Sequence, residues 1–119
     1  MKSLTVAVGQ HPIGADIASN FDFMVKQIEL AAENGAQLIL FPECNLSGYP
    51  GMDFDDLQTV NETLLALSMV RVCEEAAKRK IWIIFGSIHR EIDSEKPFNS
   101  LYIIKPDGRL AARYDKRLL

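Results

Sequence analysis

The hydrophobic positions of this chain form two patterns, continuous apolar runs and helical stripes. Continuous apolar runs, typical of buried strands, cover residues 4–9, 38–41 and 81–88, and residues 100–105 and 109–114 are predicted as two further strands. Between the first three runs, apolar side chains recur every three or four residues, which is typical of one face of an amphipathic helix. The order strand, helix, strand, helix and three strands predicts an α/β fold that begins with a right-handed parallel βαβ unit.

Polar residues and glycine set the expected ends of the two helices. Asn20 is predicted as the N-cap of the first helix, and Asn34 with Gly35 as its C-terminal stop. Asn61 is predicted to cap the second helix, which then runs to about Arg79. Both helices are expected to pack on one face of the sheet, as in a layered half-sandwich.

The other face of the predicted sheet also needs cover. The strands are apolar on both sides, which is typical of strands buried between two layers. The turn sequence PDG at residues 106–108 predicts that the last two strands are antiparallel. The chain of 119 residues amounts to about one domain. We therefore expect either that two such sheets pack face to face or that sequence outside these residues supplies the missing layer.

The most informative stretch is residues 37–50, which read QLILFPECNLSGYP. An apolar strand stops at Pro42, Glu43 follows, and a loop rich in turn residues begins. In open α/β sheets, ligands bind beyond the carboxyl ends of the strands. Glu43 is therefore the first candidate for chemistry, and the alternative is an ordinary solvated or ion-paired glutamate.

Five segments resemble, in order, the N-terminal half of the nitrilase-type carbon–nitrogen hydrolases. They read VAVGQ, GAQLILFPE, NLSGYP, IIFGSI and FNSLYIIKPDGRLAARYDKRLL. Each is short, but FPE followed by GYP and a later YDKRL is a specific combination. The resemblance implies the N-terminal half of a four-layer αββα sandwich, which is usually assembled into oligomers. Residues 1–119 would then be a single partial carbon–nitrogen hydrolase domain that lacks its C-terminal half.

The family carries out its chemistry with a glutamate, a lysine and a cysteine. By motif, the resemblance implies that Glu43 is the general base and that Lys116 stabilises an oxyanion. The reaction it implies is hydrolysis of an amide or nitrile through a cysteine thioester. The family's nucleophilic cysteine, which lies beyond the lysine, has no match here, so we expect these residues to be inactive alone. Tyr49 is predicted at the mouth of the substrate pocket, with packing of its own loop as the alternative.

The remaining candidates have plainer explanations. Cys44 follows the candidate base directly, but neighbouring side chains in an extended segment point to opposite sides, which argues against a nucleophile. Cys73 lies on the apolar face of a helix and is predicted to be a core residue. His11 and His89 lack metal-ligand spacing. Asn99 is expected either to orient the loop or to start the fourth strand.

Two other functions stay open from the sequence. The segment GYPGMDFDDL resembles the corresponding loop in the glutaminase domains of glutamine-dependent NAD synthetases. Such a domain releases ammonia from the side-chain amide of glutamine. The third possibility is a non-catalytic remnant that dimerises through its exposed sheet.

Composition narrows the expected partners. The formal net charge of −3 argues against a surface for nucleic acid or anionic membranes. No apolar run approaches the roughly 18 residues of a membrane span, and the N-terminus lacks a signal-peptide pattern. Two cysteines do not form a disulfide framework. We expect a cytoplasmic protein with a small-molecule amide or nitrile substrate and no metal or organic cofactor, and the resemblance adds a homo-oligomer.

Overall fold

The computed structural model describes residues 2–91 and 96–116. Residues 117–119, which complete the YDKRL segment, lie outside the described residues. The helices and strands follow in the predicted order, with one short 3₁₀ helix (Leu57–Thr59) before the second α-helix. They are β1 (Val6–Val8), α1 (Ile17–Glu33), β2 (Leu38–Leu40), α2 (Glu62–Arg79), β3 (Trp82–His89), β4 (Phe98–Ile104) and β5 (Leu110–Asp115).

The described strands form one sheet in the order β1-β2-β3-β4-β5. β1, β2 and β3 are parallel, as the predicted βαβ unit requires, and β4 and β5 are added in antiparallel fashion. The predicted PDG turn joins the last two strands. Gly108 adopts a left-handed φ of 86°, and the Arg109 N–H donates to Asp107 Oδ1 at 2.9 Å.

Both helices pack on one face of this sheet. The predicted stripe of α1 is confirmed, because Met24, Ile28 and Ala31 are buried in the core. They share that core with apolar side chains from α2 and from the inward side of β2 and β3. The main contributors are Ile39, Val72, Ala76, Ile83 and Phe85.

The opposite side of the sheet, here called the open face, carries a row of apolar side chains. The row consists of successive register partners, one from each of the five strands: Val8, Leu40, Ile84, Ile103 and Ala112. The exposed fraction is 76% for Val8 and 39% for Leu40. Within residues 2–91 and 96–116, neither helix lies on this side. What covers it stays a prediction.

The predicted N-cap of α1 is wrong. The helix begins one turn earlier, and Asp16 is its cap, with Oδ1 accepting from the N–H groups of Ala18 and Ser19 at 3.1 and 3.4 Å. Asn20 looked like a cap because it stands next to the apolar stripe. The predicted ends at Asn34 and Asn61 are confirmed.

Asn20 has a different role inside α1. Its side chain is buried, and Nδ2 donates to the carbonyl oxygens of Gly14 and Leu46 at 2.8 and 3.0 Å. Its Oδ1 accepts from the Gly14 N–H at 3.1 Å. Asn20 therefore ties the loop after β1 and the loop after β2 to the helix.

No helix among the described residues is long and apolar enough to cross a membrane.

These two roles predict different stability losses. Asp16→Ala removes an exposed cap and should lower the free energy of unfolding by about 1 kcal/mol. Asn20→Ala leaves buried carbonyl groups without donors and should lower it by about 3 kcal/mol. Urea unfolding of the two variants beside the wild type measures both values. A smaller loss for Asn20→Ala than for Asp16→Ala would contradict this assignment.

Candidate functional site

Glu43 lies where the chain leaves β2, at the carboxyl end of the strand. The Phe41 N–H still donates to the Ile84 carbonyl at 2.8 Å, and residues 43–47 then form consecutive turns. Cys44 has a left-handed φ of 52°, which is uncommon for a residue other than glycine. This segment is therefore not extended, and the alternation of side chains expected of an extended segment does not apply to Glu43 and Cys44.

The loop after Glu43 takes the place of a strand beside the second half of β3. The Leu46 N–H donates to the Gly86 carbonyl at 3.0 Å. The side chain of Asn45 accepts from the Gly86 N–H at 2.9 Å, and the Ser47 hydroxyl accepts from the Ile88 N–H at 2.9 Å. Residues 44–48 are buried as a result, so the position of Glu43 is set by a fixed loop.

The backbone of this loop passes very close to β3 at Gly86. A Cβ atom at residue 86 would lie 2.9 Å from the Pro42 carbonyl oxygen and against the Cys44 backbone nitrogen. Contacts this short with backbone atoms are not tolerated by real side chains. Glycine is therefore required at this position for the turn at Glu43 to pack against the strand.

The structure brings Glu43 and Lys116 together. Lys116 follows β5, and its N–H continues the ladder by donating to the Asn99 carbonyl at 2.8 Å. Its Nζ lies 3.0 Å from Glu43 Oε1. The Asn99 side-chain Nδ2 also donates to Glu43 Oε1. A carboxylate, an ammonium group and an amide thus meet at the ends of β2, β4 and β5.

The pair is half exposed, with 44% of the Glu43 side chain and 50% of the Lys116 side chain accessible. The hydrogen bond to Glu43, and then its charge, raise the pKa of Lys116 above the ordinary value of 10.5. Lys116 is therefore a cation at neutral pH. A raised folded-state pKa means that the interaction is complete below pH 10.5 and is lost as the pH rises through the higher value.

A groove of about 450 Å³ adjoins this pair. Its lining residues are Glu43, Gly86, Asn99, Ser100, Leu101, Tyr114 and Lys116. Leu101 and Tyr114 are register partners on the open face, so the groove lies on that side of the sheet. One end of it is polar and its wall is apolar, which is the usual make-up of a small-molecule site.

Tyr49 is not among the residues that line this groove. Its side chain is half-buried against the core, and its N–H donates to Asp53 Oδ2 at 2.7 Å. Tyr49 is close enough to Lys116 to influence its pKa. Its assignment to the substrate pocket stays a prediction.

Neither cysteine lines the groove. The Cys44 thiol is buried and donates to Asn99 Oδ1 at 3.5 Å. Burial, and then the charge of Glu43, raise the pKa of Cys44 to about 12. Cys73 lies on α2 with its side chain packed against the core, and burial raises its pKa too. Both thiols are free.

The two histidines have structural partners. His11 is buried, stacks on Phe23 with a centroid separation of 5.4 Å, and lies 3.3 Å from the Asn45 amide nitrogen. His89 is 2.9 Å from the Tyr102 hydroxyl and 2.7 Å from the Arg113 guanidinium. Within the part of the chain that the structure describes, no group of histidine, cysteine and acidic residues could hold a metal ion.

Sequence reasoning left the role of Asn99 open and missed the groove wall. Asn99, Leu101 and Ile103 alternate along β4, so they share one face of the sheet. That alternation was a usable signal. It does not reveal the contact with Glu43, because this contact depends on how the loop after β2 turns.

Comparison with known proteins gives matches over nearly the whole chain. A family model described as Carbon-nitrogen hydrolase matches residues 5–119. An arylacetonitrilase from Aspergillus niger is 38% identical over 93% of this chain and 35% of its own length. An omega-amidase from Homo sapiens is 32% identical over 98% of this chain and 41% of its own length.

Two further relatives bear on function and fold. A glutamine-dependent NAD(+) synthetase from Acinetobacter baylyi is 31% identical over 100% of this chain and 21% of its own length. The crystal structure of an amidase from Nesterenkonia sp. superposes with a TM-score of 0.84 at 25% identity, covering 98% of this chain and 43% of that chain. The predicted nitrilase-like α/β fold is therefore confirmed. The chain spans less than half the length of each of these relatives.

The close approach at Gly86 predicts that Gly86→Ala destabilises the protein. Overpacking against backbone atoms should lower the free energy of unfolding by about 1–3 kcal/mol and should shift the amide resonances of Glu43 and Cys44. The matched control is Gly14→Ala, since a Cβ atom there meets no atom within 4 Å. Urea unfolding and amide spectra of both variants measure these effects, and equal stability of the two would contradict the prediction.

The raised thiol pKa predicts that Cys44 reacts slowly. At pH 8, a thiol with a pKa of about 12 carries roughly a thousandfold less thiolate than one with the ordinary value of 9.0. Iodoacetamide should therefore leave Cys44 unmodified in the folded chain and alkylate it once urea is added. Mass spectrometry of tryptic peptides measures the extent. Rapid alkylation of Cys44 in the folded protein would show that the assignment is wrong.

Proposed function

The chain belongs to the carbon–nitrogen hydrolase family, and from that membership we propose that Glu43 and Lys116 form part of a site that hydrolyses a small amide or nitrile. The observation that carries the proposal is their 3.0 Å contact at the polar end of the groove. A half-exposed ion pair adds little to stability. Its position beside a groove supports a chemical role.

The proposed roles follow from the chemistry of an amide. Glu43 takes the proton of a cysteine thiol, and the thiolate forms a bond to the amide carbon. The carbonyl becomes an oxyanion that the Lys116 cation stabilises. The C–N bond then breaks as Glu43 returns the proton to the departing nitrogen, and ammonia leaves. Water, deprotonated by Glu43, hydrolyses the thioester to a carboxylic acid and regenerates the thiol.

We place the nucleophilic thiol outside these 119 residues. Cys44 is buried and hydrogen-bonded, and its raised pKa disfavours formation of the thiolate. Cys73 lies on α2, away from the groove. Residues 1–119 would then be a partial domain that carries the base and the lysine, and would be inactive alone.

The groove favours a small substrate with an uncharged acyl group. Its apolar wall includes Leu101 and Tyr114, and its volume of about 450 Å³ suits a small molecule. A specific observation supports a second candidate, a glutaminase that supplies ammonia. The NAD(+) synthetase relative matches the whole chain, and the GYPGMDFDDL segment resembles its class of glutaminase domain.

The open face supports a proposal about assembly. An apolar face of this kind suits a buried layer, and we retain the homo-oligomer implied by the family. The two free thiols fit a reducing compartment such as the cytoplasm. A non-catalytic dimer that joins its open faces remains the alternative to an enzyme.

The test measures ammonia release from a panel of small amides, nitriles and glutamine. It uses the 119-residue chain and the longer product of the reading frame, where the frame continues. In the active form, Glu43→Gln and Lys116→Ala should each lower kcat by at least about 100-fold, since each removes a group needed in the transition state. Circular dichroism should show that both variants stay folded.

The matched controls change the same residue types on the exposed side of α1. Glu33→Gln and Lys26→Ala should keep the wild-type rate, because both residues are exposed on α1, which packs on the opposite face of the sheet from the groove. Wild-type turnover by Glu43→Gln would contradict the assignment. So would activity of the 119-residue chain that Cys44→Ala abolishes.

A further inference from the structure

Asn99 contacts Glu43, Cys44 and Lys116 at once. Its Nδ2 donates to Glu43 Oε1, and its Oδ1 accepts from the Cys44 thiol at 3.5 Å. Its backbone carbonyl accepts from the Lys116 N–H at 2.8 Å. One residue near the start of β4 therefore joins the loop after β2 to the end of β5.

We propose that Asn99 is a positioning residue that determines which oxygen of Glu43 receives a proton, and that the Cys44 thiol fixes the orientation of the Asn99 amide. The catalytic part of this inference rests on the proposed function. The orientation part concerns only contacts within this chain.

The two carboxylate oxygens of Glu43 have different hydrogen-bond partners. Within residues 2–91 and 96–116, the hydrogen bonds to this carboxylate are all at Oε1, from Lys116 Nζ at 3.0 Å and from Asn99. Two donors stabilise negative charge on Oε1, so Oε2 is the oxygen that accepts a proton from an incoming thiol. The terminal torsion of glutamate is broad and nearly two-fold, so it is the surrounding donors, and not the torsion itself, that distinguish the two oxygens.

The two ends of the Asn99 amide also have different partners. Its oxygen and nitrogen are similar in size, and a flipped amide would place Oδ1 against the Glu43 carboxylate. The Cys44 thiol opposes that flip because it donates to Oδ1. A thiol is protonated at neutral pH, and burial makes its ionisation still less favourable by raising the pKa of Cys44 to about 12. A hydrogen-bond donor beside Oδ1 and a carboxylate beside Nδ2 both favour the orientation of the amide seen in the structure.

This arrangement gives the thiol next to the base a function that is not nucleophilic. The Cys44 thiol donates a hydrogen bond without losing its proton, and a serine hydroxyl would do the same. Alanine has no atom in place of Sγ and donates nothing. Serine keeps an atom and a donor at that position, so the series Cys44, Cys44→Ser and Cys44→Ala tests what the donor at residue 44 contributes.

The first test is an NMR measurement on the 119-residue chain, which needs no enzyme activity. In the wild type, the two Asn99 Nδ2 protons should be widely separated in chemical shift, because one binds a carboxylate and the other does not. Cys44→Ser should keep this separation and Cys44→Ala should reduce it. Glu43→Gln should reduce the downfield shift, because an amide oxygen is a weaker acceptor than a carboxylate. An identical Asn99 signal in wild type and Cys44→Ala, both folded, would overturn the orientation part.

The second test measures kcat and KM in the active, longer form. Asn99→Ala should lower kcat roughly 10- to 100-fold, the effect of losing one hydrogen bond to a charged group, while KM changes by less than about threefold. Asn99→Asp, which has the same shape, should lower kcat at least as much because it sets a second carboxylate against Glu43. A fully active Asn99→Asp variant that remains folded would overturn the positioning role.

The two tests distinguish failure of the proposed function from failure of the role of Asn99. If no longer form hydrolyses any amide or nitrile, the proposed function and the positioning role both fall, while the NMR series still decides the orientation of the amide. If hydrolysis depends on Glu43 but not on Asn99, the proposed function survives and the positioning role is wrong.

Discussion

The site depends on the close packing of one loop against the second half of β3. β2 ends while β3 continues, and the backbone groups of Gly86 and Ile88 would otherwise lack partners on that side. Buried backbone groups need hydrogen bonds. The backbone of Leu46 and the side chains of Asn45 and Ser47 supply them. Loops are usually mobile surface segments, but this one is held as firmly as a strand.

This packing accounts for the position of Glu43 better than its ion pair does. The Glu43 and Lys116 side chains are half exposed, where water screens the attraction between their charges. The carboxylate is held mainly because the turn behind it is buried and because Asn99 donates to it. A layer laid over the open face would exclude water from the groove and strengthen the same charge interaction, since its energy rises as the local dielectric constant falls. The chemical strength of the pair is thus linked to whatever covers the sheet.

The sequence located the secondary structure well and the site only in part. Apolar runs and caps such as Asn61 predict the ends of the helices and strands to within a few residues, because local periodicity determines these elements. Asn20 was misread because a buried asparagine that bonds to two distant carbonyl groups looks the same as a cap in sequence. The pairing of Glu43 with Lys116 came from resemblance, since no periodicity links two segments so far apart. The left-handed turn at Cys44 carried no signal, because residues other than glycine seldom adopt it.

That turn explains why the cysteine beside the candidate base is a poor nucleophile. A reactive thiol needs access and a stabilised thiolate, and Cys44 has neither. The left-handed backbone turns its side chain into the interior, where burial and the charge of Glu43 both disfavour ionisation. The same two factors keep the thiol protonated, so it can donate a hydrogen bond to the Asn99 amide. The environment that removes Cys44 from the chemistry is therefore the one that lets it orient the residue that holds the base.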